Sequence, residues 1–314
     1  MRREQPLLSI CIPTYNRCQS LRFVLDRFVE NYEFNEDVEI VVSDNCSTDD
    51  TQLVGFEYSQ KYPNIKYYRN EENIRDKNFI RVLSRGTGKY LKLLNDWCYI
   101  TEPSLRFMKQ CVLDNMKEHR LFFFTNDTLF TDRKQLLTHC ASVDDYMQVI
   151  SSYATSNNVF GAWTDDWERV VEKEKYSALQ LQQLDWSYQL VKMHDGKCTL
   201  YDNKVLTFAP DTRSHKGYNW FKVHVDNYYT ILTPYVQEGL ISPETLRQDK
   251  RYVLQHFTRE LRKTYHLAFR RGWNFETEGT WKILMKHYRG DWYFYYFMLT
   301  LPLQKFIQRR HHRW

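Results

Sequence analysis

Over the first 130 residues, apolar runs recur and each closes on a polar turn. Leu7–Pro13, Val38–Ser43, Ile65–Arg69 and Lys89–Leu94 read as four strands, and Leu121–Asn126 as a fifth. The segments between them carry helical signals. Leu21, Val24, Leu25 and Phe28 have helical spacing within Leu21–Asn31, and Ser47 to Asp50 supply capping chemistry for a helix to about Lys61. A third helix spans Asp76–Arg85 and is closed by Gly86. A fourth begins near Pro103 and runs to about Glu118. Strands and helices at this cadence predict an α/β fold with a mostly parallel sheet covered by helices on both faces.

Beyond residue 130 the texture changes. An amphipathic segment, Ala178–Met193, precedes a turn at His194–Lys197 and a strand at Cys198–Leu206. After Gly217 the chain is helical in pattern and strongly aromatic, in Tyr218–Val236, Pro243–Arg271 and Thr277–Leu299. The expected division is residues 1–215 as one α/β domain and 216–314 as a helical extension.

Charge sharpens that division. The 314 residues have a net charge of +5, but residues 251–314 hold 13 Lys or Arg against 4 Asp or Glu. The preceding 250 residues hold 31 basic against 35 acidic side chains. A basic tail behind an acidic body argues for two surfaces with different partners. It argues against nucleic acid as the main ligand, which would need a basic groove with stacking aromatics in the body. The seven cysteines are scattered, with no CxxC pair, and read as reduced thiols. The apolar run before Pro13 is short for a secretion signal, so a cytoplasmic protein is expected.

Four strings carry the chemistry, each at the carboxyl end of an expected strand: IPTYNR (Ile12–Arg17), VSDNCSTDDT (Val42–Thr51), ENIRDKN (Glu72–Asn78) and GKYLKLLND (Gly88–Asp96). In an open parallel sheet that edge is where ligands bind. Tyr15 offers a flat face for a base, and the Asp44 carboxylate an acceptor for an N–H of uracil or thymine. Asp44 as a simple turn cap is the competing reading. For Asp76-Lys77 the competing reading is a solvated charge pair on the first turn of a helix.

These strings resemble glycosyltransferase family 2, enzymes of the GT-A fold that use nucleotide-activated sugars. ENIRDKN followed by GKYLKLLND resembles the members that extend bacterial surface polysaccharides such as O-antigen and capsule. The resemblance covers roughly residues 7–215. It implies that Pro13, Thr14, Tyr15 and Asp44 line the nucleotide, with Lys77, Asn78 and Asn95 facing the base or diphosphate. The family usually ends the fourth strand with two carboxylates that hold a divalent metal. Here Asn95-Asp96 leaves one, so Asp96 is the implied ligand for Mn²⁺ or Mg²⁺, which bind through one or two carboxylates together with phosphates and waters. LDWSYQL (Leu184–Leu190) resembles the family's Glu-Asp-Trp helix and implies Asp185 as general base. Asp165 and Asp166 are rival bases. Arg213, His215 and Lys216 are candidate contacts to the diphosphate or metal.

The activity so implied is an inverting, metal-assisted transfer from a UDP-sugar, or a dTDP- or CDP-sugar, to a lipid-linked saccharide. The alternative is a catalytically silent nucleotide-sugar binder within an assembly complex. The carboxyl-terminal run Trp292–Trp314 joins aromatics to Arg309, Arg310 and Arg313. It reads either as an interfacial segment docking the protein to the inner face of the plasma membrane or as a core helix with a basic end.

Overall fold

A computed structural model describes residues 5–127, 136–209, 216–271, 274–276 and 278–300. The chain divides into two units, Met1–Arg213 and Ser214–Trp314.

In the first unit, β1 (Leu8–Thr14), β2 (Val38–Asp44), β3 (Ile65–Arg69) and β4 (Tyr90–Leu93) pair in parallel in the order β3-β2-β1-β4. Strand β1 is central and buried along almost its whole length, which is why it reads as a continuous apolar run rather than an alternating one. Helices α1 (Cys18–Val29), α2 (Thr51–Lys61) and α3 (Lys77–Leu83) are the crossovers. Helix α1 buries Leu21, Val24, Leu25 and Phe28, the stripe its spacing predicts. A two-residue strand β5 (Cys98–Tyr99) and α4 (Glu102–Met116) follow.

The fifth strand departs from the expected cadence. Phe122–Phe124 (β6) leaves the main sheet and forms a second, three-stranded sheet with β7 (Leu137–Cys140) and β9 (Cys198–Tyr201), in the order β6-β9-β7. The fifth place in the main sheet goes to β8 (Gly161–Trp163), which runs antiparallel to β4. All three phenylalanines of β6 are buried, and a wholly buried run carries no mark of which sheet it joins. The join between the sheets is aromatic: Tyr90 on β4 stacks on Phe122 at 4.3 Å, and its hydroxyl donates to the Phe122 carbonyl at 2.6 Å.

Helices α5 (Val143–Ile150), α6 (Thr164–Arg169) and α7 (Gln182–Met193) cover this region, and β10 (Thr207–Phe208) returns to pair with β5. Helix α7 starts four residues later than its amphipathic pattern suggests. Ser177–Leu179 form a 3₁₀ turn, and Gln180 takes a left-handed conformation at φ 62° that separates turn from helix. The expected strand Cys198–Leu206 ends at Tyr201.

The second unit is built on α8 (Tyr228–Gln237), α9 (Pro243–Arg271), α10 (Thr280–Tyr288) and α11 (Trp292–Thr300), with a short parallel pair β11 (Lys216–Asn219) and β12 (Asn274–Glu276). The predicted helix over Tyr218–Val236 is divided: its first residues are strand, Lys222–Asn227 form a π-turn, and the α-helix proper begins at Tyr228. A buried carboxylate, Asp226, ties this unit together, accepting from Lys222 at 2.6 Å, Lys286 at 2.5 Å and His287 at 2.8 Å. Helix α11 buries Phe294 and Phe297 and exposes Trp292, Tyr295, Tyr296 and Leu299. No helix among the described residues is long and apolar enough to cross a membrane.

Candidate active site

The carboxyl ends of the parallel strands open into a cleft of about 670 Å³, within the usual range for a small-molecule site. Its walls are Pro13–Tyr15 at the end of β1, Asn45 after β2, Asn73, Arg75, Asp76 and Asn78 after β3, Asn95 and Asp96 after β4, and Ser177, Ala178 and Gln180 before α7.

Each rim turn is fixed by short polar side chains. Asn16, Cys46 and Arg75 all adopt left-handed backbone conformations, with φ of 52°, 62° and 51°, where the chain reverses beyond a strand. Asn45 joins two of these turns: its amide donates to Asn73 Oδ1 at 2.9 Å and to the Arg75 carbonyl at 3.1 Å, and its oxygen accepts from Ile74 N at 2.9 Å. Asn16 does the same on the other side, accepting from Thr48 N at 2.7 Å.

Of the residues expected to line a nucleotide, Pro13, Thr14, Tyr15, Asn78, Asn95 and Asp96 do face this cleft. Tyr15 presents an exposed ring at its mouth. Asp44 lies one layer behind. It is fully buried, Oδ1 accepting from the Ser47 backbone N at 3.0 Å and from its hydroxyl, and Oδ2 accepting from Tyr67 at 2.6 Å, with Arg69 Nε 3.6 Å away. Burial and the hydrogen bond to Asp44 push the Tyr67 hydroxyl far above its ordinary pKa, so it is a permanent donor. Asn78 serves partly as a pin, its amide donating to the Ser43 carbonyl at 2.8 Å and its oxygen accepting from Ser43 Oγ at 2.7 Å. Lys77 lies outside the lining and pairs with Glu174 at 2.6 Å on the surface.

Among the described residues, the cations that line the cleft are Arg17 and Arg75, which sequence reasoning passed over. Arg75 stands two residues before Lys77 in the same string. Only the left-handed turn at Arg75 decides which of the two faces inward.

Two carboxylates face the cleft. Asp96 is nearly buried, and its Oδ2 accepts from Thr14 Oγ1 at 2.8 Å, which links the ends of β4 and β1. Asp76 lies across from this pair at the start of α3, and burial raises its pKa above the ordinary value. Among the described residues, the lining offers a cation oxygen donors and no histidine or cysteine. That set fits a hard divalent ion held by Asp96, with phosphate and water supplying the remaining positions.

Asn158 was also missed by sequence reasoning, and no motif marks it. Its Oδ1 accepts from Asn95 N at 2.9 Å, its amide donates to Cys98 Sγ at 3.2 Å, and its carbonyl accepts from Lys92 Nζ. It therefore clamps the strand end that carries Asn95 and Asp96.

Asp185 occupies the first turn of α7, buried, with Oδ2 accepting from Gln189 Nε2 at 2.8 Å, and it is not part of the cleft lining. The helix start that carries it is anchored to the cleft wall, because Gln182 donates to the Asp76 carbonyl at 2.5 Å. Asp165 and Asp166 lie on α6, outside the lining. Arg213 and His215 lie outside the described residues; Lys216 begins β11 in the second unit.

Residues 9–108 match the model of glycosyl transferase family 2. Abequosyltransferase RfbV of Salmonella typhimurium is 30% identical over 173 residues, covering 46% of this chain and 51% of that protein. The GalNAc(5)-diNAcBac-PP-undecaprenol beta-1,3-glucosyltransferase of Campylobacter jejuni is 32% identical over 93 residues, 29% of each chain. The mannosyltransferase PcManGT of Pyrobaculum calidifontis, solved with GDP-Man and Mn²⁺, superposes with a TM-score of 0.53 at 14% identity, covering 83% of this chain and 76% of that one. At that identity the likeness is one of fold. The matches to these two curated relatives span about half of their length or less.

Proposed function

From the premise that this chain carries a glycosyltransferase family 2 module on a GT-A fold, we propose that it transfers a sugar from a nucleoside diphosphate donor to a saccharide hydroxyl in the synthesis of a bacterial surface glycan. The observation that carries this reading is the convergence of Pro13–Tyr15, Asn78, Arg75, Asn95 and Asp96 on one cleft at the carboxyl edge of the parallel sheet.

In this reading Tyr15 covers the base, and Asp44 sets the base side of the pocket through the side chains it holds. Asn78 and Asn95 complete the donor wall, and Lys77 contributes from its outer rim. Arg17 and Arg75 neutralise the diphosphate, with Arg213, His215 and Lys216 as further contacts. Asp96 holds Mn²⁺ or Mg²⁺, which would supply charge neutralisation on the leaving diphosphate when bound. The donor is proposed to be a UDP-sugar, and the acceptor a lipid-linked saccharide. The undecaprenol in the name of the Campylobacter relative supports that acceptor class. The exposed Trp292, Tyr295 and Tyr296 on α11 support peripheral attachment to the membrane that would carry it.

Asp185 is the proposed general base of an inverting transfer. A second assignment has its own support: Asp76 faces the cleft, and burial raises its pKa above the ordinary carboxylate value. Donor hydrolysis and transfer should be measured over a panel of UDP-, dTDP- and CDP-sugars with Mn²⁺, Mg²⁺ or EDTA. The expected result is metal-dependent turnover of one donor, abolished in Asp96→Ala. Loss of turnover in Asp185→Asn but not Asp76→Asn assigns the base to Asp185, and the converse assigns it to Asp76. Tight nucleotide binding with no turnover, with membrane extract as acceptor source, would overturn the enzymatic reading in favour of a silent binder.

A further inference from the structure

Away from the cleft, three side chains brought from separate elements meet at one carboxylate oxygen. Asp166 Oδ2 on α6 lies 2.7 Å from His194 Nε2, directly after α7, and 3.1 Å from His119 Nε2, just beyond α4. The three candidate ligand atoms all fall within 4.8 Å of one another. Asp166 is almost completely buried, while the side chains of His194 and His119 are 17% and 44% exposed. The other oxygen of Asp166 faces Arg169 at 3.4 Å. The His119 ring is sandwiched, with Trp163 at 5.1 Å and His194 at 5.8 Å. Its backbone has φ 49°, a conformation uncommon for a residue other than glycine. Both imidazoles border a cavity of about 470 Å³ that is also lined by His139, Cys140 and Cys198.

We propose that His119, Asp166 and His194 form a binding site for a divalent transition metal of the zinc class, separate from the hard-cation position at Asp96. Two imidazole nitrogens and one carboxylate oxygen are a borderline donor set suited to Zn²⁺, with bonds of about 2.0–2.2 Å. Tetrahedral bonds of that length put neighbouring ligand atoms roughly 3.3–3.5 Å apart. The observed 2.7 Å and 3.1 Å therefore call for small outward movements of two partly exposed rings from Asp166, while the two imidazole nitrogens, within 4.8 Å of one another, close on the ion. His119 and His194 both line the cavity, which offers water a route to a fourth position. Arg169, on the non-ligating oxygen, and Trp163, under the ring of His119, orient the ligands from behind. Metal binding here requires neutral histidines, so the ion takes the place of protons shared with Asp166.

The site ties together the end of α4, α6 and the end of α7, the helix that carries Asp185 in its first turn. Its role is to brace that wall of the unit, and its signature is metal-dependent stability.

The test uses the full chain, stripped with chelator and then equilibrated with Zn²⁺ alone or Co²⁺ alone. We expect one zinc retained per chain after gel filtration at low micromolar free metal, a rise in Tm on zinc addition, and an intense visible Co²⁺ spectrum of four-coordinate character. His119→Gln and His194→Gln each keep an amide able to donate to Asp166 and so keep the fold, but both should lose at least tenfold in zinc affinity together with the Tm rise. Asp96→Ala should retain zinc fully. Absence of stoichiometric zinc in the wild type, or undiminished zinc in both glutamine variants, would overturn the proposal. So would loss of zinc in Asp96→Ala while the glutamine variants keep it.

Discussion

Lys92 is fully buried, and among the described residues no carboxylate pairs with its ammonium group. On β4, its Nζ donates to the carbonyls of Asn158 and, at 3.1 Å, of Phe160. Burial pulls its pKa from 10.5 down to about 7. Keeping the proton on in the folded chain therefore costs about 5 kcal/mol, at 1.36 kcal/mol per pKa unit. The unfolded chain keeps its proton until about pH 10.5, whereas the folded chain releases it near pH 7. Between those values the unfolded state binds more protons, so stability rises with pH, by about 2 kcal/mol from pH 7 to pH 9. Lys92→Met removes this dependence and takes the ammonium donor from two carbonyls, of which that of Phe160 keeps the Leu93 N–H at 3.2 Å, at about 1–3 kcal/mol. Urea unfolding of wild type and variant at pH 7, 8 and 9, followed by circular dichroism, isolates the term, because other titrations cancel in the difference. The wild type should gain about 2 kcal/mol on the variant across that range. Parallel stability curves would refute the reasoning.

Three further outcomes are expected. Gly161→Ala places a methyl group against the Tyr90 ring, which is locked by Phe122 and Trp163, and should cost about 1–3 kcal/mol in thermal or urea denaturation. Asn158→Ala frees the backbone N–H of Asn95 and should raise the KM for donor roughly tenfold through a loss of about 1–2 kcal/mol, while retaining a cooperative melt. Burial raises the pKa of Asp226, but hydrogen bonds from Lys222, Lys286 and His287 prevail and hold it well below the usual carboxylate range. Because its folded pKa is depressed, its contribution is present above the ordinary 3.8 and lost as pH falls below it. Asp226→Asn should therefore be less stable than wild type at pH 7, with the gap closing in acid denaturation.

The first four strands were legible because buried parallel strands are continuous apolar runs, and their ends because turn residues are polar for local reasons. Pro13, Thr14, Asn95 and Asp96 were placed by the resemblance to a family, and Tyr15 also by its flat ring on the turn after Pro13. What stayed hidden depends on backbone handedness or on distant partners. Arg75 and Lys77 are both cations in one string, and only a left-handed turn separates their directions. Asn158 is 63 residues from the Asn95 it holds. Asp166 read either as a rival base or as part of an ordinary acidic loop. Burial and two histidines, 47 and 28 residues away, give it different company. The sheet exchange of β6 and β8 was invisible because pairing is decided by shape across the chain.

The asparagine-linked rim has a practical consequence for engineering. The turns after β1, β2 and β3 fasten to one another through Asn16 and Asn45, whereas the wall at Ser177–Gln180 is contributed by a separate stretch of chain leading into α7. A graft that replaces residues 177–193 would leave those asparagine-linked turns in place, as long as residue 182 keeps a donor for the Asp76 carbonyl. Under the proposed function, hybrids built at that seam should keep the donor preference of this chain.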